Sequence, residues 1–320
     1  MRKIAVLTSG GDAPGMNAAI AAVVRTAKSK GLSAWGVMRG YAGLIEGTLV
    51  EISSAMVSGI ANKGGTILKT SRCPEMMTEE GQEQAIRVLN AFGIEGLVII
   101  GGDGSFKGAQ TLAKKGIPTI GIPGTVDNDL AYTDFTIGFD TSVNYAVTEI
   151  AKIRDTMQSH DRIGVTEVMG NKCGDIALHA GVAADVEYII VPEIEFDVDE
   201  ICQSLRARRI KGQTTSIIVI AEGAGKSEAL ANYIRAKTGF DVKANALSYT
   251  QRGGIPTSFD RLIATRMGIR AVDLLLEGKA GRVIGVSTNQ IMDYDIGEAL
   301  AIENRFDKEL YKRHQELNNY

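Results

Sequence analysis

The residues of this chain best suited to chemistry are Asp127 and Asp129, which stand with Thr125 in Pro123-Gly-Thr-Val-Asp-Asn-Asp129. This segment follows an apolar run, 117–122, that predicts a buried strand. Ligands of open α/β sheets bind where the strands end. Two buried carboxylates so close together repel each other, so a metal, a cation or a proton must accompany them. By itself the pattern is more typical of a polar turn, and the rest of the chain decides between the two interpretations.

Glycine-rich loops follow the other apolar runs as well. They carry polar or acidic residues at 8–12, 101–105, 169–172 and 222–225. Backbone N–H groups in such loops bind phosphate, above all where a helix begins. One loop of this kind is equally typical of a tight turn without a ligand, whereas several that line one sheet edge favour a ligand that carries phosphate.

Asp103 lies between two glycines in Gly101-Gly-Asp-Gly-Ser105. Phosphoryl transfer needs a carboxylate that holds Mg²⁺ beside the phosphates. The alternative is an Asp-Gly turn without a metal. The neighbouring glycine-rich loops favour the metal-binding interpretation.

Two familiar nucleotide-binding motifs are nearly present, and we reject both. The segment 102–108 has one residue too many for the dinucleotide-binding fingerprint. The segment Gly223-Ala-Gly-Lys-Ser227 ends like a P-loop, but Ile220 stands where the leading glycine is required.

Three arginines lie in or near these loops and fit phosphate recognition, because the guanidinium group matches phosphate oxygens. They are Arg72, Arg162 and Arg252. Each alone is more often a surface charge. The basic run 206–211 predicts a solvated helix face, with an anion site as the minority interpretation.

Composition excludes several classes of function. The 320 residues exceed the size at which one core stops growing, so we expect two domains. A net charge of −3 argues against a nucleic-acid surface. No apolar run reaches the ~20 residues of a membrane span, and the chain enters a strand at once, so we expect no signal peptide and a cytoplasmic location. The 3 Cys and 3 His lack the spacing of disulfide frameworks or zinc sites.

Apolar runs alternate with segments of helical period, which predicts βαβ units and largely parallel sheets. The predicted strands are 4–7, 97–100, 117–122, 163–168 and 217–221. The predicted helices are 17–30, 108–115, 140–157, 258–276 and 308–320. We expect Asp140 or Thr141 to cap the helix that begins near 140. A domain boundary near 138–140 rests on this pattern alone.

Taken together, these residues resemble the bacterial ATP-dependent 6-phosphofructokinases. The matching motifs span almost the whole chain in the family's order: Thr8-Ser-Gly-Gly-Asp-Ala-Pro-Gly-Met-Asn17, Gly40-Tyr-Ala-Gly-Leu44, Ile100-Gly-Gly-Asp-Gly-Ser105, Pro123-Gly-Thr-Val-Asp-Asn-Asp129, Lys152-Ile-Arg-Asp-Thr156 and Gln251-Arg-Gly-Gly254. Jointly they are highly specific, although no single motif would suffice.

The resemblance implies two Rossmann-like three-layer α/β/α domains with mainly parallel sheets, an active site in the cleft between them, and a homotetramer. We accordingly predict a larger ATP-binding domain of 1–138 plus about 251–301. The predicted smaller domain, which binds the sugar phosphate, is 139–250 plus about 302–320.

The implied activity is phosphorylation of fructose 6-phosphate at its 1-hydroxyl by ATP with Mg²⁺, the committed step of glycolysis. Asp127 would be the general base, Thr125 and Asp129 would position the reacting groups, and Asp103 would hold Mg²⁺. The implied ATP site is Gly11, Tyr41, Arg72, Cys73, Gly102, Asp103, Gly104, Ser105 and Gly108. The implied sugar-phosphate site is Thr125, Asp127, Arg162, Met169, Gly170, Asn171, Glu222, Lys243, Tyr249 and Arg252. In this family the residues at 162 and 243 reach across from a neighbouring subunit.

Two glycines indicate the phosphoryl donor. Pyrophosphate-using relatives typically carry Asp at the position of Gly104 and Lys at that of Gly124, where a side chain would occupy space that ATP needs. Both positions are glycine here, which favours ATP.

Three positions depart from the family pattern around the sugar phosphate. Asn171 replaces an arginine, Lys243 keeps a charge but loses the bidentate fork, and Tyr249 replaces a histidine. We therefore expect a reduced affinity for fructose 6-phosphate or a shifted sugar preference.

The family's effector site, which binds ADP or phosphoenolpyruvate, is only partly retained. Matching residues are Arg25, Arg154, Glu187 and Lys211, while Ala21, Ser54 and Gln213 stand where basic residues usually do. With those cations missing, an anionic effector should bind weakly.

Two alternatives stay open. The chain could be a kinase of the same fold that acts on another phosphosugar, or a catalytically silent nucleotide-binding paralogue. The second alternative predicts damage to the base or metal residues, and Asp103, Asp127 and Asp129 are all present.

Overall fold

The computed structural model of this chain describes residues 1–303 and 306–318. It divides into two compact units, which we describe separately. The larger unit contains 1–126, 130–141 and the described residues from 252 to 303, and the smaller contains 127–129, 142–251 and the described residues from 306 to 318. The division thus falls three residues after the boundary expected at 138, and it sets 127–129 apart with the smaller unit. Of the predicted segment 302–320, residues 304, 305, 319 and 320 lie outside the described residues.

The elements follow in chain order. The first half contains β1 (Lys3–Thr8), α1 (Met16–Ser29), β2 (Ser33–Val37), α2 (Gly40–Glu46), β3 (Leu49–Glu51), α3 (Glu79–Phe92), β4 (Gly96–Gly101), α4 (Asp103–Lys114), β5 (Thr119–Pro123) and α5 (Phe139–Gln158). The second half contains β6 (Ile163–Val168), α6 (Asp175–Ala183), β7 (Tyr188–Ile190), α7 (Val198–Ile210), β8 (Ser216–Ala221), α8 (Ser227–Thr238), β9 (Val242–Ala246), α9 (Ser258–Leu276), β10 (Arg282–Ser287), β11 (Gln290–Asp295), α10 (Ile296–Leu300) and α11 (Lys308–Asn318).

The larger unit is built on a seven-stranded sheet in the order β11-β10-β5-β4-β1-β2-β3. Its five central strands run parallel, and an antiparallel strand closes each edge. All six residues of β4 are buried, as expected for a parallel strand that is covered on both faces. The smaller unit carries a fully parallel sheet in the order β7-β8-β6-β9. The predicted α/β class with mainly parallel sheets is confirmed.

Most predicted elements form where the pattern placed them. β6 and α9 have the predicted bounds, and β1, β4 and β8 extend the predicted runs by one residue at one or both ends. The predicted strand 117–122 forms as β5, which begins two residues later and ends one residue later than predicted. No helix among the described residues is long and apolar enough to cross a membrane.

Two helix starts differ from the prediction. α4 begins at Asp103 instead of 108, because Gly102 accepts the first helical bonds from Ser105 N and Phe106 N (3.0 and 3.1 Å). The segment predicted as a glycine-rich loop is therefore the first turn of a helix.

α5 begins at Phe139, so Asp140 and Thr141 lie inside it and neither caps it. The start of α5 is bound instead by Asp260 of α9, whose carboxylate accepts hydrogen bonds from Gly138 N at 2.9 Å and Thr141 N at 2.8 Å. A local cap was expected, but the actual partner is about 120 residues further along the chain.

Candidate active site

Three segments of the larger unit leave one edge of its sheet side by side, because β1, β4 and β5 are neighbouring parallel strands. Ser9 N, just after β1, donates to Ile100 O in β4 at 2.9 Å, and Gly124 N, just after β5, donates to Gly101 O at 2.9 Å. The glycine-rich segments after these strands are thus adjacent, as the sequence predicted.

Asp103 is the first residue of α4, and its carboxylate lies 2.7 Å from Lys107 Nζ in an exposed ion pair. The carboxylate is 46% exposed. The described residues contain no group of three or more His, Cys, Asp or Glu side chains that could hold a metal ion. A lone accessible carboxylate fits Mg²⁺, which usually binds one or two protein carboxylates together with substrate phosphates.

The two glycines that bear on the donor differ in surroundings. A Cβ at Gly104 would have no described atom within 4 Å, whereas a Cβ at Gly124 would lie 2.9 Å from Ile100 Cγ2 and 3.1 Å from Met16 Cε. A side chain at 124 would therefore require Ile100 or Met16 to shift. At position 104, by contrast, packing does not explain why the residue is glycine.

Tyr41 packs against the first turns of α4 from the buried side. Its hydroxyl donates to Ser105 O at 2.7 Å, and a Cβ at Gly108 would lie 2.9 Å from the same hydroxyl oxygen. Burial raises the pKa of the Tyr41 hydroxyl well above its ordinary value, so it stays a neutral donor. The structure brings Tyr41, Ser105 and Gly108 together as a packed support for the helix start.

The segment that contains Arg72 and Cys73 is attached to the loop after β1, because Thr70 Oγ1 donates to Gly10 O at 2.7 Å. Arg72 is exposed and Cys73 is half-buried. Burial is the main cause that raises the pKa of the Cys73 thiol, which disfavours a reactive thiolate.

Arg252 lies against the loop after β1 in the larger unit. Its Nη1 donates to Asp12 O at 3.1 Å, and a Cβ at Gly11 would overlap the guanidinium group. The resemblance assigned Gly11 to ATP and Arg252 to the sugar phosphate, and the structure shows that the two residues are in contact.

In the smaller unit Asp127 and Asn128 are buried, at 8% and 9% exposure, and Asp129 is half-buried. Asn128 has a positive φ of 53°, and its Nδ2 donates to Asp175 Oδ2 at 2.9 Å. In the larger unit Thr125 is also buried, and its carbonyl accepts from Thr136 Oγ1 at 2.7 Å. The motif is therefore held by bonds to residues well outside it.

The loop after β6 carries Met169, Gly170 and Asn171, and hydrogen bonds fix its course. Met169 N donates to Gln251 Oε1 at 2.9 Å, and Asn171 N donates to Glu222 Oε1 at 3.0 Å. The structure thus groups these predicted sugar-site residues at the carboxyl end of β6.

Arg162 and Lys243 lie elsewhere in the smaller unit. Both bind the carboxylate of Asp241, at 2.5 and 2.8 Å, and the hydrogen bonds from Lys243 and Arg162 lower its pKa. Lys243 pairs with Gly164 at the amino end of β6, while Asn171 follows the other end. A six-residue strand is about 20 Å long, so these two cations and the loop after β6 lie at opposite ends of the strand.

Tyr249 is 81% exposed. It lies in the short 3₁₀ helix Ser248–Arg252. The structure gives it no buried support comparable to that of Tyr41.

The predicted effector residues are partly used by the fold of the smaller unit. Glu187 pairs with Arg154 at 3.5 Å and with Arg208 at 3.6 Å, and its second oxygen accepts from Ile217 N at 2.6 Å. In the basic run 206–211, Arg206 and Arg209 are exposed as predicted, whereas the side chain of Arg208 is only 15% exposed. Lys211 and, in the larger unit, Arg25 are exposed.

Sequence reasoning missed three carboxylates: Asp175, Asp241 and Asp260. Only Asp260 has a local signal, because Thr257-x-x-Asp260 is a capping-box pattern, and Asp260 N does donate to Thr257 Oγ1 at 3.2 Å. Burial raises the pKa of Asp260 to about 6. The other two are recognisable only from contacts with residues distant along the chain.

Comparison with known proteins begins with a family model described as phosphofructokinase, which matches residues 3–275. A curated ATP-dependent 6-phosphofructokinase from Clostridium botulinum strain Eklund 17B is 57% identical over 312 residues, which are 97% of this chain and 98% of that protein.

Solved structures agree with the family match. Phosphofructokinase from Saccharomyces cerevisiae superposes with a TM-score of 0.90 at 33% identity, over 98% of this chain and 50% of that chain. A pyrophosphate-dependent phosphofructokinase from Marinobacter aquaeolei has a TM-score of 0.87 at 23% identity, over 96% of this chain and 86% of that one, which indicates a shared fold alone.

Proposed function

This chain belongs to the phosphofructokinase family, and we propose that it transfers the terminal phosphoryl group of ATP to the 1-hydroxyl of fructose 6-phosphate. The products are fructose 1,6-bisphosphate and ADP. The observation that carries this proposal is the nearly full-length match to an ATP-dependent 6-phosphofructokinase. The two compact units are the proposed domains, with ATP assigned to the larger and the sugar phosphate to the smaller.

We assign the donor side to the first turn of α4 and the adjacent loops. Backbone N–H groups at a helix start attract phosphate, and the open space at Gly104 leaves room for it. Asp103 would hold Mg²⁺, and its present partner Lys107 would then be displaced from the carboxylate. When bound, Mg²⁺ supplies neutralisation of phosphate charge.

Asp127 is the proposed general base. It would accept the proton of the sugar's 1-hydroxyl as that oxygen attacks the terminal phosphorus, while Thr125 and Asp129 would position the reacting groups. Burial of Asp127 supports this role, because a base excluded from water keeps one orientation and its proton is not exchanged with solvent during the reaction.

The sugar phosphate is proposed to bind at the loop after β6, with Glu222 and Arg252. Arg162 and Lys243 would serve the site of a neighbouring subunit, because they lie at the end of β6 opposite to that loop. This placement supports an oligomer in which each acceptor site is completed by another copy of the chain, and we propose the homotetramer that the family resemblance implies.

Weak control by ADP or phosphoenolpyruvate is proposed as well. Arg154 is already paired with Glu187, and Ala21, Ser54 and Gln213 carry no charge, so an anionic effector would meet few available cations there. A cytoplasmic location is proposed on the sequence alone.

A second candidate is a kinase of the same family with another phosphosugar as acceptor. It is favoured by Asn171, which has a positive φ of 53° and is exposed, where the family usually has an arginine. Without that fixed charge, the acceptor site is less selective for one sugar phosphate.

The test is a coupled kinase assay with fructose 6-phosphate and other phosphosugars, each with ATP and then with pyrophosphate. We expect turnover with ATP and fructose 6-phosphate, and an Asp127→Asn variant that loses about 10²–10⁴ in kcat with unchanged ATP binding. Preferential use of another phosphosugar would select the second candidate. If Asp127→Asn kept its rate, the assignment of the base would be wrong.

A further inference from the structure

The loop that carries Asp127 has an unusual backbone at its centre. Asn128 adopts a φ of +53°, a left-handed conformation that asparagine adopts more readily than most residues other than glycine and that nearby contacts help to hold. The amide of its own side chain is one such contact, since Nδ2 donates to Asp175 Oδ2 at 2.9 Å. Both residues are buried in the smaller unit, at 9% and 7% exposure.

Asp175 is the first residue of α6. Its burial raises the pKa of the carboxyl, and the hydrogen bond from Asn128 lowers it. A carboxyl in such a position costs stability unless its bonds compensate. The bond to Asn128 connects it to a segment 47 positions earlier in the chain.

The same residue ends the loop that carries the proposed sugar contacts. Between β6 and α6, Cys173 N donates to Gly170 O at 2.8 Å, and Gly174 N donates to Glu193 Oε1 at 2.8 Å. The chain from Met169 to Asp175 is therefore tightly held.

We propose that Asp175 is a positioning residue, which holds the loop of Asp127 through Asn128 and fixes it to the segment that carries Met169, Gly170 and Asn171. This role rests on the proposed function, in which Asp127 is the base. Asp175 itself need not touch the substrate. A base displaced by about 1 Å loses on the order of a hundredfold in rate, so the bond would act on kcat more than on ATP binding.

The test compares Asp175→Ala, Asp175→Asn and Asn128→Gly, which removes the amide but tolerates the positive φ. We expect Asp175→Ala and Asn128→Gly to lower kcat about 10- to 100-fold, with the KM for ATP changed by less than about twofold. Asp175→Asn keeps an acceptor oxygen and should recover most of the loss. The double variant Asp175→Ala/Asn128→Gly should be no slower than the single variants, because both remove the same interaction.

Glu193→Ala is the matched control. Glu193 is also partly buried and binds the start of α6, but it does so through Gly174 N. The Glu193→Ala variant should have a lower melting temperature than the wild type, with little change in kcat. An equal loss of kcat in Glu193→Ala and Asp175→Ala would overturn the proposal, as would additive losses in the double variant.

Amide hydrogen exchange separates this inference from the proposed function. Peptides covering 124–130 should exchange faster in Asp175→Ala and Asn128→Gly than in the wild type and Glu193→Ala, without any substrate present. A wild type inactive on fructose 6-phosphate would overturn the proposed function, and the exchange data would then decide the inference. Unchanged exchange of these peptides in Asp175→Ala would contradict the positioning role of Asp175, whichever substrate the enzyme phosphorylates.

Discussion

The donor side of the larger unit and the cation pair of the smaller unit are built in opposite ways. The start of α4 is supported from within by the buried Tyr41 hydroxyl and by close packing at Gly108. The cations Arg162 and Lys243 are instead held by one exposed carboxylate, Asp241. The start of α4 is thus held by buried packing, whereas Arg162 and Lys243 are held by charge pairs near the surface.

This difference explains where the chain departs from its family. The departures at 171, 243 and 249 all lie among exposed side chains of the smaller unit. The residues around α4 keep the family pattern. A substitution among solvated charges costs little stability, whereas one beneath α4 disturbs close packing. Substitutions at these exposed positions should therefore cost less stability than substitutions in the packed support of α4 around Tyr41 and Gly108.

The largest expected effect comes from Gly104→Asp, which introduces a carboxylate where a Cβ meets open space. It should lower kcat/KM for ATP by about two orders of magnitude, because the carboxylate would repel and obstruct the phosphates. The melting temperature should stay within about 2 °C of the wild type, since no packing is lost. Steady-state kinetics and thermal unfolding measure the two effects. Unimpaired use of ATP would mean that the open space at Gly104 does not serve the nucleotide.

Gly108→Val tests the opposite property in the same helix. Its side chain would collide with the Tyr41 ring, and overpacking of this kind costs roughly 1–3 kcal/mol of unfolding free energy. Urea unfolding should show this loss, and Gly104→Asp serves as the control. A Gly108→Val protein as stable as the wild type would contradict the view that α4 is supported by tight packing.

The contrast also explains how much the sequence could reveal. β6 and α9 were predicted with their observed bounds, because β6 is a compact apolar run and α9 is a long segment of helical period. The start of α4 was missed because glycines at 102, 104 and 108 are typical of a loop and have low helix propensity. The cap of α5 was missed because Asp260 supplies it from α9. Resemblance supplied the candidate site residues, but it could not reveal Asp175 or Asp241, whose roles depend on contacts across the fold.

A smaller effect is expected from pH, through Asp260 of the larger unit. Burial raises its pKa from 3.8 to about 6, so the folded state binds this proton more tightly than the unfolded state. The stability it contributes is present below about pH 4 and is lost as pH rises through 6, by an amount on the order of 3 kcal/mol in total. The melting temperature of the wild type relative to Asp260→Asn should therefore fall between pH 5 and pH 7.5. A relative rise over that range would show that the hydrogen bonds from Gly138 and Thr141 keep the carboxylate ionised despite its burial.

The smallest effect concerns Asp241, the exposed counterpart of Asp260. Its pKa is lowered by Lys243 and Arg162, so it is ionised and competes with an incoming sugar phosphate for both cations. Asp241→Asn should lower the KM for fructose 6-phosphate about two- to fivefold without changing the melting temperature. Salt of about 0.5 M should remove most of this difference. Asp199→Asn, which also removes an exposed carboxylate paired with a lysine, is the control and should leave KM unchanged. A higher KM in Asp241→Asn would mean that Asp241 orients the two cations for the substrate, and the exposed side would then be as preorganised as the donor side.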